Sequence, residues 1–165
     1  MLAAVVAAAL IAAVASAASK HPAVSMTDRG PSFCSATDVH AIVRDFVSAF
    51  NRGDALALSL MWVRIRFQWY AVNDFQSGKN VNHIEYSRPG ALAYFADRHR
   101  HGERLELVDF AYGGFNAGWG HFDFRMRRQA PDVRGGRPTT YIGAGTVSCL
   151  KGPVGLGRWT MTMTA

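Results

Sequence analysis

The sequence predicts an α+β domain: a cone-shaped, curved antiparallel β-sheet wrapped around a long N-terminal helix, with two further helices beside it. Three observations carry this expectation. One highly regular amphipathic pattern stands early in the chain, the alternating strand patterns gather late, and a change of parity among many glycines lets those strands bend.

The organising stretch is residues 37–54. Val39, Ile42, Val43, Phe46, Val47 and Phe50 recur at helical spacing and form one apolar stripe. Ser35 or Thr37 is placed to cap the first free N–H groups, Asp38 suits the positive end of the dipole, and Gly53 suits a left-handed stop. Asp54 then caps a second, short helix, ALALSLMW, whose Leu56, Leu60 and Met61 are expected to close one end of a pocket. Residues 64–72 alternate Ile65, Phe67, Trp69 and Ala71 against Arg64, Arg66, Gln68 and Tyr70, a strand with one core face.

Residues 73–83 show no period and read as loop. Ser87 caps a third helix with Pro89 in its first turn, Leu92, Phe95, Ala96 and His99 on one side, and Gly102 as its stop. The rest reads as four strands. Residues 103–116 change parity near Leu107, which signals a bulge. Residues 118–130 set Phe122, Phe124 and Met126 against Trp119, His121, Asp123, Arg125 and Arg127. A turn with Gly135 and Gly136 at its tip leads to a final hairpin, residues 139–150 and 156–164.

Residues 1–17 are apolar and rich in small side chains, and read as a secretory signal peptide cleaved after Ala15-Ser16-Ala17. The apolar run 2–14 is shorter than the ~20 residues a bilayer requires. Residues 18–33, rich in Ser, Pro and charge, read as a disordered lead-in. Residues 34–165 suffice for one domain. A secreted or periplasmic location follows, with no membrane association after cleavage.

In an oxidising compartment Cys34 and Cys149 are more often a disulfide than two free thiols, and closing a loop of ~100 residues is worth ~4.7 kcal/mol. The alternative is a pair of buried thiols acting as small apolar residues. The net charge is +6. Its basic residues are dispersed, without a basic helix or an aromatic stacking platform, so nucleic acid is not an expected partner.

VRDFVSAFNRGD in the first helix, FQWY, YFADRH, the late FDF and YIGAGT, and the terminal RWTM resemble the nuclear transport factor 2-like superfamily, closest to a secreted bacterial type of its SnoaL-like branch. The resemblance spans about residues 37–163. It implies a cone whose open end holds a small apolar ligand and, in many members, pairing of two copies through the sheet. In the enzymes it implies a carboxylate, histidine or tyrosine inside the cone as base or polariser.

The candidates for that chemistry are His121 and Asp123, two residues apart and so on one face of one strand. Trp69, Tyr70 or Trp119 would shape the site. The same alternation turns both outward with Arg125 and Arg127 if Phe122, Phe124 and Met126 face the core. His99, His101 and Glu103 stand at i, i+2 spacing, which diverges on a helix, and no metal site is expected. The common hydrolase, metalloprotease, nucleotide and redox motifs are missing, and no cofactor is expected.

Phe46, Phe50, Trp62, Trp69, Tyr70, Phe95, Phe122 and Trp159 are the expected lining of a ligand cavity. They are equally enough to fill the interior. Three functions remain: a secreted domain binding a small apolar or amphipathic ligand without catalysis, an isomerase, cyclase or dehydratase on a small hydrophobic substrate, or a dimeric interaction module. An enclosed polar group beside a void favours the enzyme, and a filled cone with an apolar outer face favours the last.

Overall fold

Helix α1 (Ala36–Arg52) forms where the apolar stripe predicts it. The computed structural model describes residues 34–63, 67–76, 79–150 and 154–164, so the expected signal peptide and lead-in lie outside the described residues. Ser35 and Asp38 make a reciprocal capping box, Asp38 N–H to Ser35 Oγ at 3.1 Å and Ser35 N–H to Asp38 Oδ2 at 3.3 Å. Gly53, at φ +66°, ends the helix by turning its N–H back to the carbonyls of Ala49 and Phe50. Asp54 then accepts from the Ala57 N–H at 2.9 Å and starts α2 (Ala55–Leu60). Helix α2 is too short to present two sides. It buries Leu58, while Leu56 and Leu60 are 71% and 70% exposed, which corrects the expectation that they close a pocket.

Among the described residues six strands make one sheet: β1 (Gln68–Gln76), β2 (Lys79–Glu85), β3 (Arg104–Asn116), β4 (Trp119–Gln129), β5 (Thr139–Ser148) and β6 (Gly155–Met163). Their order is β2-β1-β6-β5-β4-β3. Helix α3 (Arg88–Arg100) joins β2 to β3, capped by Ser87 with Pro89 in its first turn. Two expectations are corrected here. Residues 73–76 and 79–83 are not loop but strands of the β1–β2 hairpin, and among the described residues the second strand pairs only with β1 and so needs no continuous apolar face. The sheet is also mixed. No local turn joins β1 to β6, and the two run parallel through Trp69 and Trp159.

The buried side of α3 is Ala91, Tyr94, Phe95 and Arg98 rather than Leu92, Phe95, Ala96 and His99. A buried arginine shifts the face, and an apolar pattern does not register it. The bulge expected near Leu107 is present between Leu107 and Asp109.

Helix α1 lies in the concave side of the sheet and is tied at both ends. Cys34 and Cys149 form a disulfide with Cα atoms 5.5 Å apart, and the Tyr112 hydroxyl donates to the Cys34 carbonyl at 2.8 Å. At the far end the Asn51 side chain pairs with the Leu105 backbone like a short piece of strand, donating at 2.7 Å and accepting at 2.8 Å. Gly143 and Gly145 let β5 pass under the rings of Phe124 and Phe122, since a Cβ at either position would overlap them. Gly145→Val is therefore expected to cost about 1–3 kcal/mol by overpacking. A urea midpoint unchanged from wild type would show that the rings have other places to go.

Candidate functional site

The centre of the cone is aromatic. Phe46 meets Trp62 at 5.6 Å, Trp69 at 5.8 Å, Phe95 at 5.5 Å and Trp159 at 4.8 Å between ring centroids. Trp69 stacks on Trp159 at 5.5 Å, Phe50 reaches Phe95 at 6.0 Å, and Phe122 reaches Trp159 at 5.8 Å. These seven residues are all buried and touch one another in stacked, tilted and edge-on geometries. Among the described residues the indole N–H groups of Trp62, Trp69 and Trp159 are buried without an acceptor. Tyr70, the eighth residue expected at a cavity, faces the other side of the sheet. There it meets Tyr86 edge-on at 5.9 Å, and a hydrogen bond with Tyr86 raises its hydroxyl above the ordinary phenol range.

Strand pairing defines that outer face. Ile84, Tyr70, Thr160, Ala144, Asp123 and Ala111 fall in one row across all six strands. On one side of it run Thr162, Ile142, Arg125 and Asp109, and on the other Gln68, Arg158, Thr146 and His121. His121 and Asp123 therefore share a face, as their spacing implies, and that face is exposed and lies outside the cone. A groove of about 480 Å³ runs along it, between Asp109, Asp123 and Arg125 on one flank and Ile142, Ala144 and Thr160 on the other.

The inner side carries charge at the end where β3 begins and β4 ends. Arg98, Glu103 and Arg128 are buried there. Glu103 accepts from Arg128 Nε at 2.8 Å and Nη2 at 3.0 Å and from Arg98 Nε at 2.5 Å. Arg98 gives its remaining nitrogens to Asp132 at 2.8 and 2.7 Å. Arg128 also lies 4.7 Å over the Tyr141 ring. Burial works against the charge on Arg98, but its bonds to Asp132 and Glu103 outweigh that and hold it protonated beyond the usual arginine range. The same hydrogen bonds from Arg98 hold the Asp132 carboxyl below the usual carboxylate range.

Sequence reasoning misses this group, although Arg128 continues the inward parity of Phe122, Phe124 and Met126, and a cation at a core position is itself a signal. The proposed companions of Glu103 lie elsewhere. His101 pairs with Asp97 at 3.4 Å and His99 packs against Gly53. Among the described residues no three metal-ligating side chains cluster.

No protein-family model matches the chain, and no curated protein matches it by sequence. Solved structures match it by shape. An uncharacterised protein with a cystatin-like fold from Caulobacter vibrioides has TM-score 0.64 at 12% identity, over 77% of this chain and 87% of that one. A proposed dehydratase of the NTF2-like family from Streptomyces avermitilis has TM-score 0.59 at 14% identity, over 77% and 94%. The fold is NTF2-like. A proposed aromatic ring hydroxylase from Novosphingobium aromaticivorans shares it, with TM-score 0.60 at 13% identity over 81% and 93% of the two chains. At such identities the likeness establishes the NTF2-like cone and no activity.

Within this NTF2-like cone Glu103 is bound on both sides by guanidinium groups and takes the role of a structural counter-ion. Glu103→Gln is expected to destabilise by about 3–5 kcal/mol, because it leaves buried cations uncompensated. The depressed Asp132 carboxyl contributes stability that is present above the ordinary carboxylate range and lost as pH falls through its lower folded value. Asp132→Asn should therefore lower stability at neutral pH and flatten its fall on acidification. An unchanged acid limb in urea unfolding would refute that assignment.

Proposed function

We propose that the chain acts by binding rather than by catalysis, and that the outer face of its sheet receives a second copy. The composition of that face carries the reading. Asp109, Asp123 and Arg125 stand side by side on it, and among the described residues none of them is in an ion pair within its own chain. They flank a groove into which Ile142 projects at 47% exposure. A face with both signs of charge around an apolar strip suits a twofold pairing, in which one patch must complement itself. His121 and Asp123 act there as contact residues. The packed aromatic centre supports the same reading. The disulfide supports a secreted or periplasmic location, where such bonds persist.

A small ligand in the cone is the second reading, favoured by the three buried indole N–H groups, which an acceptor oxygen would satisfy. Native mass spectrometry of the mature protein tests both, since it reports a copurifying molecule and the oligomer together. A dimer is expected, weakened by high salt because exposed charges are screened. Ala144→Arg, at an exposed position in the central row, should give a folded monomer with the far-UV circular dichroism of the wild type. A wild-type monomer at the highest soluble concentration would sink the pairing.

A further inference from the structure

The groove on the outer face follows two rows of the sheet. Arg125, Ile142 and Thr162 stand side by side in one row, on β4, β5 and β6, and all three line the groove. Asp123, Ala144 and Thr160 stand in the row beside it and line it too. Arg158, Thr146 and His121, in the row beyond Asp123, do not.

Strand by strand, the two lining rows complement each other. On β4 a cation stands next to an anion. On β5 the 47% exposed Ile142 stands next to a small side chain, and on β6 a hydroxyl stands next to a hydroxyl. The Asp109 carboxylate already accepts from the Phe110 N–H at 2.9 Å, which makes Asp123 the acid more open to a partner.

Twofold axes lying between two such faces differ in what they bring together. An axis running along β5 sets β4 against β6 of the second copy, so that both charges meet threonines. An axis across the strands and through either row sets Asp123 against Asp123 or Arg125 against Arg125, like on like. An axis beyond the Asp123 row takes Ile142 away from Ala144 and leaves the groove off-centre. Only midway between the two lining rows does an axis across the strands lie in the groove. It sets Arg125 over Asp123 of the second copy, Ile142 over Ala144 and Thr162 over Thr160, and symmetry makes each contact twice.

We propose that two copies pair about this last axis, with Arg125 of each bonded to Asp123 of the other and Ile142 of each seated over Ala144 of the other. The proposal rests on pairing through the outer face and adds its register. Face-to-face sheets lie about 10 Å apart, a gap that an arginine opposite an aspartate spans. Aligned sheets cross at about 30°, so the matched register is confined to strands near the crossing, which the groove places at β4, β5 and β6.

Native mass spectrometry of the mature protein and its charge variants tests the register. Arg125→Glu leaves the two rows acidic and Asp123→Arg leaves them basic, so each should oppose like charges and weaken self-association by about tenfold or more. Mixed one to one, the two variants should pair with each other, since both contacts then join opposite charges. The double variant Asp123→Arg/Arg125→Glu should pair with itself again. Pairing in the mixture also shows that both variants are folded. Single variants that self-associate like the wild type, or a mixture that stays monomeric while both keep the wild-type far-UV circular dichroism, would overturn the register. If Ala144→Arg is monomeric at the same time, the outer face survives as the pairing surface and only the register is lost. A wild-type monomer removes both.

Discussion

A buried carboxylate between two guanidinium groups organises one whole end of this molecule. Taking Glu103 out of water costs several kcal/mol unless every oxygen finds a partner, and Arg98 and Arg128 supply those partners from α3 and β4. Because charge-assisted hydrogen bonds are directional, they locate the end of α3, the start of β3 and the end of β4 together. Asp132 extends the arrangement to the chain beyond β4 through Arg98. Apolar packing alone tolerates sliding by a residue. Here a slide would strand a buried charge, so register and polarity are set by one interaction.

The opposite device is the junction of α1 and α2, where four consecutive residues, Asn51-Arg52-Gly53-Asp54, hold three separate jobs. Asn51 hydrogen-bonds β3, Gly53 stops one helix, and Asp54 begins the next. Each job depends on a specific side chain or on the lack of one. Between this junction and the ion cluster the aromatic centre is placed without further polar help, by rings from α1, α3, β1, β4 and β6 meeting one another.

Helix α1, its caps and the alternation of β4 were legible in the sequence because each is a local periodic pattern with apolar residues at every core position. The disulfide was legible from compartment and count. Strand β2 was not, since an edge strand can be built from polar residues such as Lys79, Asn80 and Asn82. The parallel pairing of β1 with β6 was not, because it joins segments far apart in the chain with no turn to announce it. Of the site, the outward direction of His121 and Asp123 followed from parity alone. Arg98, Glu103 and Arg128 escaped because an apolar pattern treats every charge as surface.

The sheet order has a consequence for how the chain is made. Strand β6 is the last synthesised, yet it sits between β1 and β5. Until it emerges, nothing joins the hairpin of β1 and β2 to the meander of β3, β4 and β5, and the edges of β1 and β5 that it covers have no partner. Contacts between segments so far apart close slowly, since a long loop must be ordered before they form. A chain stopped short of residue 155 would not be a slightly smaller cone. It would be two sheets with a missing seam, each offering its bare edge to the next copy.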